Sequence, residues 1–418
     1  MSRLGFLWSL VFSRMPYPIR LVMNLIVLPF IALRAIFWII RDHAKESPVN
    51  MMAFEELTAQ LQLVEHDSDE SLDQVRALTA AIHAVIEEGD FATLDETLIK
   101  LDQSRAATPM GHRLWRTVLA AVWSKIMDGR KTETDECGEY PTDPIPYDAI
   151  EPYINAARAN PESYALGGLA GFICLKVGWG QRGGDYAPFV TEEAFADMSK
   201  LFEIADGFLT RFDAKTLSSP MLADIAYQRE AGLDGSLSAL EKIFEVQVSL
   251  DPGDHAALAQ HAFHLLPRWY GDYQVLGDAA QKVYAGLHAN QGAAPYAAFY
   301  LDLLADDDGA LASVDLGLFC EGVTDMIAHS TAPQATVNSI LARLSEIWAG
   351  HPAQSRDLDD RKGQVRALFQ EITRTHLTDV IGPYWKMSRK ERFYLIGQAF
   401  EEDLAAGETV LLGRQEAA

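Results

Sequence analysis

Apolar residues recur at three- and four-residue steps through most of this chain beyond residue 50, and this spacing constrains the fold more than any other feature. In residues 71–88, for example, Leu72, Val75, Leu78 and Ile82 fall on one face of a helix. No segment shows the alternation of polar and apolar residues that is typical of a half-buried strand. The sequence therefore predicts an all-α protein.

The periodic segments are separated by short links that carry Gly, Pro, Asp or Asn. They predict helices over residues 52–64, 71–88, 91–102, 111–128, 148–158, 162–178, 191–212, 218–232, 236–250, 254–266, 273–289, 293–305, 316–329, 333–349, 355–377 and 388–405. Short helices in series predict an irregular α-solenoid of tetratricopeptide-like helix pairs. An irregular helical bundle is the alternative that the same pattern allows.

The junction at residues 250–253, Leu-Asp-Pro-Gly, is the best local indication of repeated helix pairs. Pro252 ends one helix, and Asp254 is placed to cap the next. A weaker copy of this junction contains Pro161. The two prolines are 91 residues apart, which is not a multiple of the roughly 34-residue tetratricopeptide period. The predicted array is therefore degenerate or carries insertions.

The first 48 residues form a distinct apolar and basic head. Residues 1–50 carry six basic and two acidic side chains, whereas the rest of the chain carries 29 and 57. A twenty-residue apolar run extends from Leu21 to Ile40, and twenty helical residues rise about 30 Å, enough to span a bilayer. The residues expected to contact lipid are Leu21, Ile26, Phe30, Phe37 and Trp38.

The polar residues of this run leave its placement open. Arg20, Asn24, Arg34 and Arg41 fall in one sector of a helical wheel, which also suits a helix lying in the headgroup plane or one buried against protein. A cleaved signal peptide is less favoured because no small-residue cleavage motif follows the run. Basic residues flank the run on both sides, so the side of the membrane that the body faces stays open.

The acidic body excludes several classes of protein. Its net charge of −28 repels phosphate backbones and argues against nucleic-acid binding. Three cysteines cannot form a disulfide framework for 418 residues. Composition and breaks in periodicity divide the chain into the head at 1–48, an N-terminal helical part at 49–147, helical repeats at 148–310 and a C-terminal helical part at 311–418.

Two segments resemble an uncharacterised bacterial family of tetratricopeptide-like proteins. The first is Gly178-Trp-Gly-Gln-Arg-Gly-Gly-Asp-Tyr186, followed by Val190-Thr-Glu-Glu-Ala-Phe195. The second is Leu250-Asp-Pro-Gly253 with Leu266-Pro-Arg-Trp-Tyr-Gly271, where Tyr270 stands in place of the family's usual glycine. The likeness covers roughly residues 150–300. It implies a helical-repeat fold and brings no reaction, cofactor or site.

Both segments place a tryptophan near an arginine, followed by glycine, an acid and a tyrosine. An arginine can stack on a tryptophan and clamp a carboxylate or a carbonyl. On one rim of a solenoid the two segments would form a composite recognition surface, and the alternative is that the rings fill gaps between helices. The partner-binding candidates are Trp179, Arg182, Tyr186, Arg268, Trp269 and Tyr273.

The sequence offers little catalytic chemistry. His261 and His264 are three residues apart on a predicted helix, a spacing that can present two imidazoles to one metal ion. No HExxH motif, phosphate-binding P-loop or G-x-S-x-G motif is present. We therefore predict no catalytic residue, no metal site beyond these two weak candidates and no cofactor.

The function that these features favour is a membrane-tethered helical-repeat scaffold or adaptor in the bacterial inner membrane. It would bind a protein or peptide partner, and the acidic body favours a basic one. The alternatives are a helical enzyme or metal-binding protein, and a structural subunit of a larger membrane complex.

Overall fold

The computed structural model describes residues 47–130, 132–135, 138–141, 145–183, 190–233, 235–350, 352–407 and 410. These residues form two compact units. The smaller unit comprises residues 47–61 with 396–407 and 410, and the larger unit comprises the described residues between 62 and 395. The four-part division made from the sequence stays a prediction.

About 75% of the structure is helical and very few of the described residues lie in strands, which confirms the predicted all-α class. The helices are α1 (Phe54–Leu61), α2 (Glu70–Glu88), α3 (Phe91–Ser104), α4 (Leu114–Met127), α5 (Glu151–Ala159), α6 (Tyr164–Arg182), α7 (Glu192–Leu209), α8 (Pro220–Gly232), α9 (Leu237–Leu250), α10 (His255–His264), α11 (Tyr273–Gln291), α12 (Ala294–Asp306), α13 (Leu316–His329), α14 (Pro333–Ala349), α15 (Arg356–His376), α16 (Arg389–Ala399) and α17 (Glu401–Ala405).

Local capping sets most of these boundaries near the predicted positions. Asp69 accepts from the backbone N–H of Leu72 at 2.8 Å and begins α2. Gly89, with a φ of 70°, ends that helix in the left-handed conformation that glycine adopts without strain. The helix predicted over 388–405 is instead interrupted at Phe400, whose φ of −111° and ψ of 27° depart from helical values.

Two small sheets correct the expectation of no strands. β1 (Val64–His66) pairs in parallel with β4 (Asp379–Ile381), and β2 (Thr132–Asp135) pairs with β3 (Gly138–Pro141) in an antiparallel hairpin. The hairpin lies in the stretch 129–147, which the sequence predicts to be irregular. Strands of three or four residues are too short to show a period, so sequence pattern cannot identify them.

The smaller unit packs α1 and α17 with the turn at Pro48–Met51. Its buried apolar side chains include Val49, Leu57 and Leu404. Gly397 allows close packing here, because a Cβ at this position would lie 2.8 Å from both Leu57 and Val49.

The larger unit is organised around α6 and α12. Almost every residue of α6 from Tyr164 to Gly178 is buried, and the helix packs against α5, α7 and α8. The first ten residues of α12, except one, are likewise buried among α10, α11, α13 and α14. Helices that are apolar on all faces belong in the core of a large domain.

The predicted membrane head, with Leu21, Ile26, Phe30, Phe37 and Trp38, lies outside the described residues. Within the ranges that the structure describes, no helix is both long and apolar enough to span a bilayer.

Candidate functional site

A cavity of about 1030 Å³ opens within the larger unit. Its walls come from α2, α4, α10, α11, α12, α13 and α14, together with the loop before α4 and the turn after α13. Small and apolar side chains make up much of the lining. The polar side chains of the lining include those of His112, Arg116, Thr117, Asp254, Asp302 and Ser339.

Arg116 on α4 is the centre of a buried ionic network on one wall. Its Nη2 lies 2.8 Å from Asp224 Oδ1 and 2.7 Å from Asp254 Oδ2. Burial alone would lower the pKa of Arg116, but the two carboxylates raise it above its usual value. The same burial raises the pKa of Asp224, and repulsion from Asp254 adds to this while Arg116 opposes it. Two carboxylates therefore share one guanidinium.

A second arginine of this wall, Arg113, forms an ion pair with Asp251. Arg113 Nε and Nη2 donate to the two carboxylate oxygens of Asp251, each at 2.6 Å, and Arg113 Nη1 donates to the Arg105 carbonyl. Both members of the pair are largely buried, and Arg–carboxylate pairs with two bonds are geometrically specific. This pair fixes the start of α4 on the junction between α9 and α10.

Another part of the cavity lining carries Asp302 on α12. Arg343 Nε lies 2.7 Å from Asp302 Oδ1, and Arg343 Nη1 donates to Glu346 at 2.6 Å. The side chain of Asp302 remains 57% exposed, so its carboxylate is accessible from the cavity. Asp306 lies one turn further along α12, and burial together with Asp302 and Glu346 raises its pKa despite the pull of Arg343.

Two cavity histidines are expected to be neutral at pH 7. Burial lowers the pKa of His112, although Asp302 and Asp254 both oppose that shift. Burial also lowers the pKa of His255, although nearby Gln291 and Asp254 oppose that shift. Since neutral imidazoles carry no charge, these residues do not offset the carboxylates around them.

The cavity is bounded on one side by a contact between distant parts of the chain. The Thr331 hydroxyl donates to the Pro109 carbonyl at 2.7 Å, and both residues line the cavity. The parallel pairing of β1 with β4 joins the first and last segments of the same unit. This pairing brings residues 64–66 and 379–381 of the larger unit together.

The structure brings together the two tryptophans that the sequence analysis singled out. The rings of Trp179 and Trp269 meet edge to face with centroids 6.1 Å apart. Trp179 also contacts Phe202, and Trp269 contacts Phe263 and His264. The cluster lies at the C-terminal end of α10, whereas the N-terminal end of α10 lines the cavity. Both rings are half-buried, as expected for residues that pack between helices.

The arginines beside these rings make contacts within the protein. Arg182 lies over the rings of Trp179 and Phe195 and donates to the Gly183 carbonyl at 2.9 Å. Arg268 pairs with Asp307 at 3.0 Å, and the Tyr273 hydroxyl donates to the same carboxylate at 3.1 Å. Burial is the main cause that raises the pKa of Tyr273 to about 12.

Tyr186 lies outside the described residues. For the other five candidates the structure gives positions, and their role in partner binding stays a prediction.

His261 and His264 are parts of the same aromatic region. His261 Nδ1 and the Tyr227 hydroxyl share a 2.9 Å hydrogen bond, and Phe244 stacks on the His261 ring at 3.9 Å. His264 Nδ1 donates to the Gln260 carbonyl at 3.0 Å. Among the described residues, no three His, Cys, Asp or Glu side chains are grouped so that they could hold a metal ion. The geometry of the two weak metal candidates is that of packing residues.

Sequence reasoning missed most of the cavity residues. Asp254 is recognisable in the sequence only as a helix cap, and Arg116 and Asp302 carry no local motif. The available signal was the presence of isolated charges within apolar helical segments, since buried charges are normally paired. That signal predicts that partners exist but does not identify them.

Comparisons with family models, with curated proteins and with solved structures find no match for this chain. The resemblance to tetratricopeptide-like proteins therefore stays a prediction that depends on the quoted motifs alone.

Proposed function

We propose that this chain is a membrane-tethered helical-repeat adaptor that binds a segment of a partner protein in its cavity. The observation that carries the proposal is the cavity of about 1030 Å³, whose walls combine small side chains with paired and exposed charges. The tether is the apolar, basic head, and the helical body is the binding part.

The packing of successive helices supports the helical-repeat part of the proposal. α6 packs on α8, α10 on α12 and α12 on α14, while α7, α9, α11, α13 and α15 each pack against one of these helices. Such alternation of inner and outer helices is expected of stacked helix pairs. The Asp-Pro-Gly junction between α9 and α10 occurs at a boundary of this kind.

The size and lining of the cavity support the binding part. Its volume is at the upper end of the roughly 300–1,000 Å³ that small-molecule sites occupy, and an extended peptide segment would also fit a space of this order. Hydroxyl groups of Thr117 and Ser339 line the space from α4 and α14. A concave surface of this type is the usual binding surface of stacked helix pairs.

Two other functions remain as alternatives. A helical enzyme or metal-binding protein would use the cavity histidines or His261 and His264 with a bound group. A structural subunit of a membrane complex would use the head as its main contact. No contact among the described residues favours either alternative over an adaptor.

The proposal is tested by filling the cavity in the full chain. Ala120 on α4 is exposed and lines the cavity, so Ala120→Trp would place an indole in the space. Ala367 on α15 is exposed and lies away from the cavity, so Ala367→Trp is the matched control. Each protein is purified from native membranes after brief cross-linking, and co-purifying proteins are quantified by mass spectrometry.

We expect wild type and Ala367→Trp to be recovered in the membrane fraction with the same partner. Ala120→Trp should reach the membrane but lose that partner, and the wild-type cross-links should map to cavity residues. Retention of every partner by Ala120→Trp would contradict the proposed binding site. Recovery of wild type in the soluble fraction would contradict the tether.

A further inference from the structure

The charges around the cavity are unbalanced on the wall that contains α4. Three carboxylates, those of Asp224, Asp251 and Asp254, face two guanidinium groups, those of Arg113 and Arg116. Arg113 makes both of its short side-chain bonds to Asp251. Arg116 is therefore the counter-ion of both Asp224 and Asp254. Of these two carboxylates, that of Asp254 lines the cavity.

The part of the lining that α12 contributes has the same sign of imbalance. Asp302 and Glu346 both bond to Arg343, so two carboxylates share one guanidinium here as well. Of these carboxylates, Asp302 lines the cavity and has the exposed side chain. A carboxylate on each wall thus borders the same space, and the imidazole of His112 interacts electrostatically with both.

We infer that the cavity takes a basic segment of the partner, with a lysine ammonium or arginine guanidinium placed between Asp254 and Asp302. The inference rests on the proposed function and specifies its ligand. A cation at this position would add a counter-ion for two carboxylates, each of which shares its arginine with a second carboxylate. The hydroxyls of Thr117 and Ser339 also line the cavity and can accept hydrogen bonds from a basic segment.

The net charge of the chain favours the same ligand. The chain carries 59 acidic against 35 basic side chains, so its field attracts cationic segments and repels anionic ones. This field acts over the whole surface, whereas recognition in the cavity depends on Asp254 and Asp302. A test must therefore separate a general attraction from binding in the cavity.

The test measures binding of labelled synthetic decapeptides to the full chain by fluorescence anisotropy. The peptides are equal in length and contain lysines, arginines, neutral serines or glutamates at the same positions. The cavity variants are Asp302→Asn and Ala120→Trp. The charge-matched control is Asp278→Asn, because Asp278 is an exposed residue of α11 that does not line the cavity.

We expect the lysine or arginine peptide to bind at least tenfold more tightly than the serine peptide. Asp302→Asn should weaken that binding about tenfold, because it removes one charged hydrogen-bond acceptor, while Asp278→Asn leaves it unchanged. Ala120→Trp should abolish it. Circular dichroism and thermal unfolding establish that each variant is folded.

Three results would overturn the inference. If the serine or glutamate peptide binds equally well and Ala120→Trp abolishes that binding, the proposed function stands and the basic ligand is wrong. If basic peptides bind wild type and both cavity variants alike, the attraction is a property of the acidic surface. If no peptide binds at any salt concentration, the inference fails, and the native-membrane experiment still decides the adaptor function.

Discussion

His261 shows how the surroundings of a single residue fix its chemical state. Its ring is stacked on Phe244, hydrogen-bonded to the hydroxyl of Tyr227 and in edge contact with Phe299. Burial lowers the pKa of His261 to about 3, and the proximity of His264 and Lys282 adds to the effect. Burial likewise lowers the pKa of His264 to about 4. Both rings are neutral in the folded protein at pH 7.

These lowered pKa values predict a loss of stability in mild acid. In the unfolded chain the two histidines titrate near 6.5, so protons bind the unfolded state first as the pH falls. Their contribution to stability is complete well above pH 6.5. It declines as the pH falls toward about 3 for His261 and about 4 for His264, and about 2 kcal/mol per histidine is lost at pH 5. Urea unfolding at pH 7 and pH 5 should show this decline in wild type and about 2 kcal/mol less of it in His261→Gln.

The buried carboxylates act in the opposite direction. Burial raises the pKa of Asp102 and Asp224, so their contribution is lost as the pH rises rather than as it falls. The comparison of wild type with His261→Gln removes this background, because both proteins contain the same carboxylates. An identical pH dependence in the two proteins would show that His261 is not neutral and buried as the structure places it.

Individual residues also show what the sequence could and could not predict about the site. The helix junction at Asp251 and Pro252 is visible in the sequence because proline and a capping acid are local signals. The hydrogen bond that Arg113 donates to Asp251 cannot be predicted from the sequence, since 138 residues separate the two. The similarity of their segments suggested that Trp179 and Trp269 could share one surface, but only the fold could bring their rings together.

At the scale of elements, glycines determine how closely α6 can approach α7. A Cβ on Gly171 would lie 2.7 Å from Leu209, and a Cβ on Gly167 would lie 2.6 Å from the ring of Phe212, which follows α7. Glycine in the middle of a helix costs about 1 kcal/mol relative to alanine. Its presence at these positions is therefore explained by packing and not by helix propensity.

Substitution of one of these glycines should separate packing from propensity. We expect Gly171→Leu to destabilise the protein by about 2–3 kcal/mol or more, because a larger side chain cannot be accommodated against Leu209. Gly286 lies mid-helix in α11, and a Cβ added there would have no neighbouring atom within 4 Å. Gly286→Leu should therefore stabilise by up to about 1 kcal/mol. Urea unfolding measures the change in the free energy of unfolding for each variant. A similar change for the two substitutions would contradict the packing explanation.

The helices could be predicted and the sheets could not, for a physical reason. An amphipathic helix repeats its spacing of apolar residues over several turns within one segment. The helices α2, α13 and α14 can therefore be predicted from local sequence. The strand Val64–His66 is three residues long, and its partner begins at Asp379. Pairing between segments so distant in the chain leaves no local trace, because neither strand has a pattern of its own.

For the molecule as a whole, the important contact is the one that joins the two ends of the larger unit. Asn338 on α14 is fully buried and holds β4 in place. Its Nδ2 donates to the carbonyls of Gln334 and Asp379, each at 2.8 Å. Its Oδ1 accepts from the N–H of Ile381 at 2.8 Å and from Trp385 Nε1 at 2.9 Å. The Asn338 amide therefore bonds to both ends of the strand with which β1 pairs, Asp379 and Ile381.

Removal of this amide tests whether the unit opens at its closing contact before it unfolds elsewhere. Asn338→Ala leaves the N–H donors of Ile381 and Trp385 buried without acceptors, which should lower the free energy of unfolding by about 3 kcal/mol or more. The control is Asn155→Ala at an exposed position of α5, which should change the free energy of unfolding little. Stacked helices interact mainly with their neighbours, so hydrogen exchange should accelerate in residues 64–66 and 379–381 while α6 keeps its protection. Equal acceleration in α6 would instead show that the closing strands and the central helices unfold as one cooperative unit.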